Sequence, residues 1–226
     1  MKTKASIINS HNALLGAVLI ILLSGFPIIA LANPSEKMFK IVEHHIDVPA
    51  DSFAAKPITH YRVGSKYGRT EEGDDSLNRI HQVIIVNEPN VWMINYYESK
   101  VAHHLVDHGP TFNFEDNIAS PEDQDLQSFE FGRELEFFKK HGGVKTGIIE
   151  IDGKKYDRYE LTVGLYVVLL YSYMNEERPF QIEIKKSGKL ELAIRYDSFE
   201  NNLEFQPDLF KPPEGYEIQE ELKEVR

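Results

Sequence analysis

PFQIEIKKSGKLELAIRY, residues 179–196, decides the fold. In QIEIKK and KLELAIRY apolar and charged side chains alternate, so one face of each segment is apolar and the other is wetted. Ser187-Gly188 between them supplies a tight turn. The pair reads as an antiparallel hairpin at the edge of a core.

The same grammar extends upstream. Leu165–Met174 (LYVVLLYSYM) is β-branched and aromatic, and too short for a membrane-spanning helix. Gly147–Ile151 and Tyr156–Leu161 flank Asp152-Gly153, a second hairpin signal. Further back, strands are expected at Met38–Pro49, Ile58–Arg69, Arg79–Val86, Asn90–Tyr97 and Lys100–Val106, a meander interrupted by the acidic loop TEEGDDSLN (70–78). Residues 107–119 have no period and read as a loop. Beyond the hairpin, Leu203–Tyr216 is an extended, proline-rich tail.

One segment breaks the pattern. Ser120-Pro121-Glu122-Asp123 offers a capping hydroxyl, proline at the first helical position and acids for the first turn. Lys139-Lys140-His141 before Gly142-Gly143 is a cationic last turn with a glycine stop. A helix over about 121–141 is expected. Its apolar residues fall on two sides, Leu126, Phe129 and Phe137 on one, Phe131, Leu135 and Phe138 on the other. Such a helix is sandwiched between two surfaces, or broken near its middle at Gly132.

The first 32 residues read as targeting, not fold. Lys2 and Lys4 precede the apolar run ALLGAVLIILLSGFPIIALA (13–32), which ends in Ala30-Leu31-Ala32 before Asn33. That is the layout of a cleavable secretory signal, with an uncleaved anchor as the alternative. The expected division is therefore a signal peptide over 1–32 and one β-rich domain over 33–226, located in the periplasm or secreted. Hydrophobic residues make up 42% of the chain, enough for a core. The net charge of -11 becomes -13 without Lys2 and Lys4, which argues against a nucleic-acid partner. The absence of cysteine excludes thiol catalysis, zinc–thiolate sites and a lipid-modified N-terminus.

Four groups of residues carry candidate chemistry. Leu161, Val163, Leu165, Val167, Leu169, Tyr171 and Tyr173 form an apolar strip on one side of a strand. From Tyr166 the other side is apolar too, with Val168 and Leu170. One face is expected to line a ligand cavity under the helix, so Leu165, Val167, Leu169 and Tyr171, with Phe131, Leu135 and Phe138 of the helix, are the candidate ligand-binding residues. The plainer alternative is a core strand. Trp92, Tyr96, Tyr97, Phe112 and Phe114 are aromatics placed to rim a cavity mouth or to pack the hairpin, and Trp92 joins the candidate list. His103-His104-Leu105-Val106-Asp107-His108 is dense in metal-ligating types, but adjacent histidines on a strand point to opposite faces. No nucleophile-elbow, zincin, P-loop or dinucleotide motif is present, so no catalytic residue, metal or cofactor is assigned.

The assembled pattern resembles the bacterial outer-membrane lipoprotein-sorting superfamily. The resemblance rests on Pro179-Phe180-Gln181-Ile182 opening a strand, the hairpin through Ser187-Gly188, and Leu209-Phe210-Lys211-Pro212-Pro213-Glu214-Gly215-Tyr216. VIIVNEPNVWMINYYESKVAHHLVD (83–107) looks like that group's strand pair with an aromatic near the turn. The resemblance implies an α+β fold: a curved, unclosed antiparallel sheet, or half-barrel, with a helical lid. It also implies a monomeric periplasmic protein that holds an acyl chain, lipid or lipidated protein in an apolar cavity, takes part in lipoprotein transport and outer-membrane biogenesis, and meets membrane-associated proteins transiently. An arginine holds the lid closed in carriers of the group; Arg62, Arg69 and Arg79 are the candidates here. The competing functions are a hydrolase or metalloenzyme using His103–His108, and a module that senses another protein.

Overall fold

The computed structural model describes residues 37–107, 126, 129, 132–176 and 178–220. The signal segment 1–32, most of the expected loop 107–119, Phe131 and His108 lie outside them. The described chain forms one 12-stranded sheet, with spatial order β12-β6-β5-β4-β3-β2-β1-β11-β10-β9-β8-β7. The strands are β1 (Met38–His45), β2 (Ile58–Val63), β3 (Tyr67–Glu71), β4 (Gln82–Asn87), β5 (Asn90–Asn95), β6 (Val101–Val106), β7 (Val144–Ile151), β8 (Lys154–Val163), β9 (Tyr166–Tyr173), β10 (Pro179–Lys186), β11 (Lys189–Leu203) and β12 (Glu217–Glu220). All pairs are antiparallel except β12 with β6, which is parallel. The sheet does not close, because β12 and β7 are its two edges, as in a half-barrel.

Two turns form as their residue types dictate. Asp152 and Gly153 take φ of 51° and 73°, and Ser187 and Gly188 take 50° and 82°, the left-handed pair a two-residue hairpin turn needs. Two other turns break strands that the sequence joins. Gly64 at φ 55° starts the turn that divides 58–69 into β2 and β3. Gly164 at φ 56° starts the turn between Val163 and Tyr166, which pair directly.

The helix is much shorter than expected. α1 covers Glu134–Lys140 only, ending beside Lys139 and Lys140 as the cationic last turn predicts. Leu126, Phe129 and Gly132 are described and none is helical. Gly132 has φ of 81°, incompatible with helix, so a helix running from 121 to 141 does not form. This break also brings the two apolar groups together: Leu126, Phe129, Leu135, Phe137 and Phe138 pack in one cluster, not on two opposed surfaces. With one seven-residue helix, the described protein is nearly all β, and the α+β description holds only in that α1 covers part of the sheet.

Strand register assigns every side chain to a face. On one face α1 and Phe129 pack over Leu161, Tyr166, Val168, Leu170, Ile182, Ile184, Ile194, Tyr196 and Ile41. On the opposite face of β2–β6, Val63, Tyr67, Val83, Ile85, Ile94 and Ala102 are covered by the chain's own tail, through Phe205, Leu209, Phe210 and Tyr216. Arg69 ties that tail down, donating to the Leu209 carbonyl at 3.4 Å and to Glu71 at 2.8 Å. A third, smaller group (Tyr156, Leu169, Tyr171 and Phe180) packs on the face of β9 away from α1.

Candidate functional site

The face that carries α1 is continuous across the sheet. Directly opposed residues run Phe199–Ile41–His60–Thr70–Ile84–Met93–His103 through β11, β1, β2, β3, β4, β5 and β6. Opposed residues in antiparallel strands share a face, so this row is one surface. It has three zones. Its first is the apolar core under α1. Its last is an open cleft of about 200 Å³ lined by Gln82, Ile84, Met93, Asn95, Glu98 and His103, in which Ile84 stands 40% exposed.

The middle zone is polar and buried. Glu43 on β1 is opposed to Tyr196 on β11. Its Oε1 lies 3.4 Å from His60 Nε2, and His60 Nδ1 lies 3.0 Å from Thr70 Oγ1. Tyr196 donates its hydroxyl to Glu134 Oε1 of α1 at 2.7 Å, and the Gly132 N–H donates to the same oxygen at 2.7 Å. Glu134 is 1% exposed. Burial pushes its carboxyl up to about 7, against the pull of these two hydrogen bonds and of the Arg62 charge. Arg62 donates from Nε to the Gly64 carbonyl at 2.7 Å. Of the three arginine candidates, Arg62 alone acts on α1; Arg69 binds the tail on the other face, and Arg79 donates to the Tyr97 carbonyl on the surface.

The candidate ligand residues are divided by this geometry. Leu135 and Phe138 are in the core under α1, and Phe131 is outside the described residues. Val167, Leu169 and Tyr171 belong to the opposite face of β9, against Tyr156 and Phe180. Leu165 sits in the exposed turn at 66% exposure and lines no interior surface. The cause is the Gly164 turn. It reverses the chain and pairs Leu161 with Val168, so the helix-side surface takes odd positions in β8 and even ones in β9. Tyr166, Val168 and Leu170, which the sequence shows as the strand's other apolar side, are therefore the residues under α1; the Val-Gly-Leu-Tyr step was the signal for choosing that side. Trp92 lies on the tail side, its ring stacked on His104 at 5.4 Å between centroids.

The histidines also separate. His103 faces the cleft, while His104 faces the tail side, with Nδ1 2.7 Å from Glu220 and Nε2 3.0 Å from Asn90. Among the described residues, no three metal-ligating side chains come together as a site.

No protein-family model matches this chain, and no curated protein does. Among solved structures it is similar to an uncharacterized conserved protein from Thermus thermophilus, at 9% identity and a TM-score of 0.47, over 82% of this chain and 91% of that one. It is similar to a chain of the Pseudomonas aeruginosa MucA/MucB complex, at 13% identity and a TM-score of 0.39, over 80% of this chain and 57% of that one, little more than half of that relative. It is also similar to the LolA superfamily protein NE2245 from Nitrosomonas europaea, at 14% identity and a TM-score of 0.31, over 78% of this chain and 89% of that one. All three likenesses lie at or below 14% identity and at or below a TM-score of 0.47, so the resemblance to the lipoprotein-sorting superfamily rests on the sequence pattern.

Proposed function

We propose that this is an exported, non-catalytic binding protein that holds an acyl chain, lipid or lipidated protein on the α1 side of its sheet. The observation that carries the reading is the single continuous row from Phe199 to His103, covered by α1 at one end and open as an apolar-floored cleft at the other. A surface of this kind removes a chain from water at about 25 cal/mol per Å² of apolar area, with no chemistry required. α1 is the lid, docked by Leu135, Phe137 and Phe138 and latched by Tyr196 on Glu134. Export through the segment 1–32 takes the protein to the periplasm, where lipoprotein sorting and transport to the outer membrane are the roles in keeping with the resemblance, and protein sensing is the second.

The experiment is binding of a neutral apolar fluorescent probe to the purified protein. The wild type is expected to bind with saturable emission gain, and Ile84→Asp, which places a charge on the exposed cleft floor, to weaken binding at least about tenfold with unchanged far-UV circular dichroism. Undiminished binding in a folded Ile84→Asp protein refutes the cleft as the site. The metalloenzyme reading requires stoichiometric metal in the purified protein, which elemental analysis detects.

A further inference from the structure

The polar zone in the middle of the binding row has no structural task that explains all of it. Tyr196 and the Gly132 N–H satisfy Glu134 and secure α1. Glu43 does not contribute to that latch. Its side chain is 2% exposed, its Oε1 faces His60, and its Oε2 is buried with no hydrogen-bond partner among the described residues. A buried carboxylate oxygen left without a donor is costly, and native proteins rarely keep one. The apolar neighbours on either side, Ile41 in the same strand and Ile84 two strands beyond His60, show that a carboxylate is not needed to fill the row.

Resting on the proposed function, we propose that Glu43 and His60 form the head-group subsite of the binding row, and that the ligand is an amphiphile whose head donates a hydrogen bond. The head places an O–H or N–H on Glu43 Oε2. The chain runs from there over Thr70, Ile84 and Met93 toward His103, which register puts in line. From β2 to β6 this path crosses four strand spacings, about 19 Å at ~4.8 Å each, and an extended twelve-carbon chain of about 14 Å covers three of them, ending over Met93. Among the described residues no lysine or arginine forms an ion pair with Glu43, whose partner is the His60 ring at 3.4 Å, so an anionic head is disfavoured. The class selected is therefore an acylated alcohol or amide, or an amine, rather than a free fatty acid or a bare hydrocarbon.

The test compares two ligands with the same chain and ester, 1-lauroylglycerol and methyl laurate, titrated into wild type, Glu43→Gln and Glu43→Met by calorimetry. The wild type is expected to favour 1-lauroylglycerol by at least about tenfold, the worth of a hydrogen bond to a charged acceptor. Glu43→Gln, which keeps the shape and an acceptor, is expected to lose most of that ratio, and Glu43→Met to equalise the two ligands while still binding methyl laurate. Equal affinities in the wild type, or a preference that survives in both variants, overturn the head-group subsite alone. If neither ligand binds the wild type, the subsite and the proposed function fail together.

Discussion

Glu134 is the residue on which pH acts most directly. Its carboxyl is buried beneath α1, with Arg62 of β2 and the Tyr196 hydroxyl of β11 facing it. Burial raises it to about 7 from the ordinary value of 4.5. A folded-state value above the unfolded one means that the protonated form is favoured by folding. That stabilisation is whole below about pH 4.5 and is lost as pH rises through 7. The linkage is on the order of 3 kcal/mol. Unfolding free energies of the wild type from urea titrations are therefore expected to fall between pH 5 and pH 8 by most of this amount. Glu134→Gln, which keeps the amide uncharged and can still accept from Tyr196, is expected to show a nearly flat profile over the same window. A variant profile as steep as the wild type assigns the pH dependence elsewhere.

At the scale of the element, α1 is a short helix of about two turns held by its neighbours. A helix of seven residues is not stable alone, so its existence depends on Leu135, Phe137 and Phe138 entering the same core as Leu126 and Phe129. Leu135→Asp places a carboxylate in that core and is expected to cost several kcal/mol, seen as lost thermal cooperativity or a strongly lowered melting point. A native melting point for this variant contradicts a packed α1. The element boundaries show what local sequence can and cannot specify. Asp152-Gly153 and Ser187-Gly188 announced their turns because both central positions suit left-handed backbone. Gly132 was visible as a break, yet the capping signs at Ser120 and Lys139-Lys140 joined two segments across it. Gly164 was passed over within an apolar run, and that single omission reversed the face assigned to Val167, Leu169 and Tyr171. The Glu43–His60–Thr70 zone was not legible at all. Its three members sit on three strands, and only register brings them into contact.

For the whole molecule, the sheet is covered by different parts of the chain on its two faces, α1 on one and the tail on the other. The tail is integral to the structure: Phe210 is 0% exposed and contacts the rings of Tyr67 and Phe205. Phe210→Ala is expected to cost about 3–5 kcal/mol in chemical unfolding. The only tryptophan, Trp92, packs against the same cluster, so its emission is expected to shift to the red in the variant. A loss below about 1 kcal/mol shows a tail that rests on the sheet without supporting it. The strand order has one further consequence, for the time course of folding. β1 lies at the centre of the sheet, hydrogen-bonded to β11, and the His44–Asp197 pair across that seam spans 153 positions. The hairpins from β7 to β11 and from β2 to β6 close over short loops and need nothing from each other. Joining them means bringing together stretches that leave the ribosome far apart in time, with the chain-closure entropy that such a separation carries. The two halves are thus early, local events, and the β1–β11 seam is the slow step that turns them into one protein.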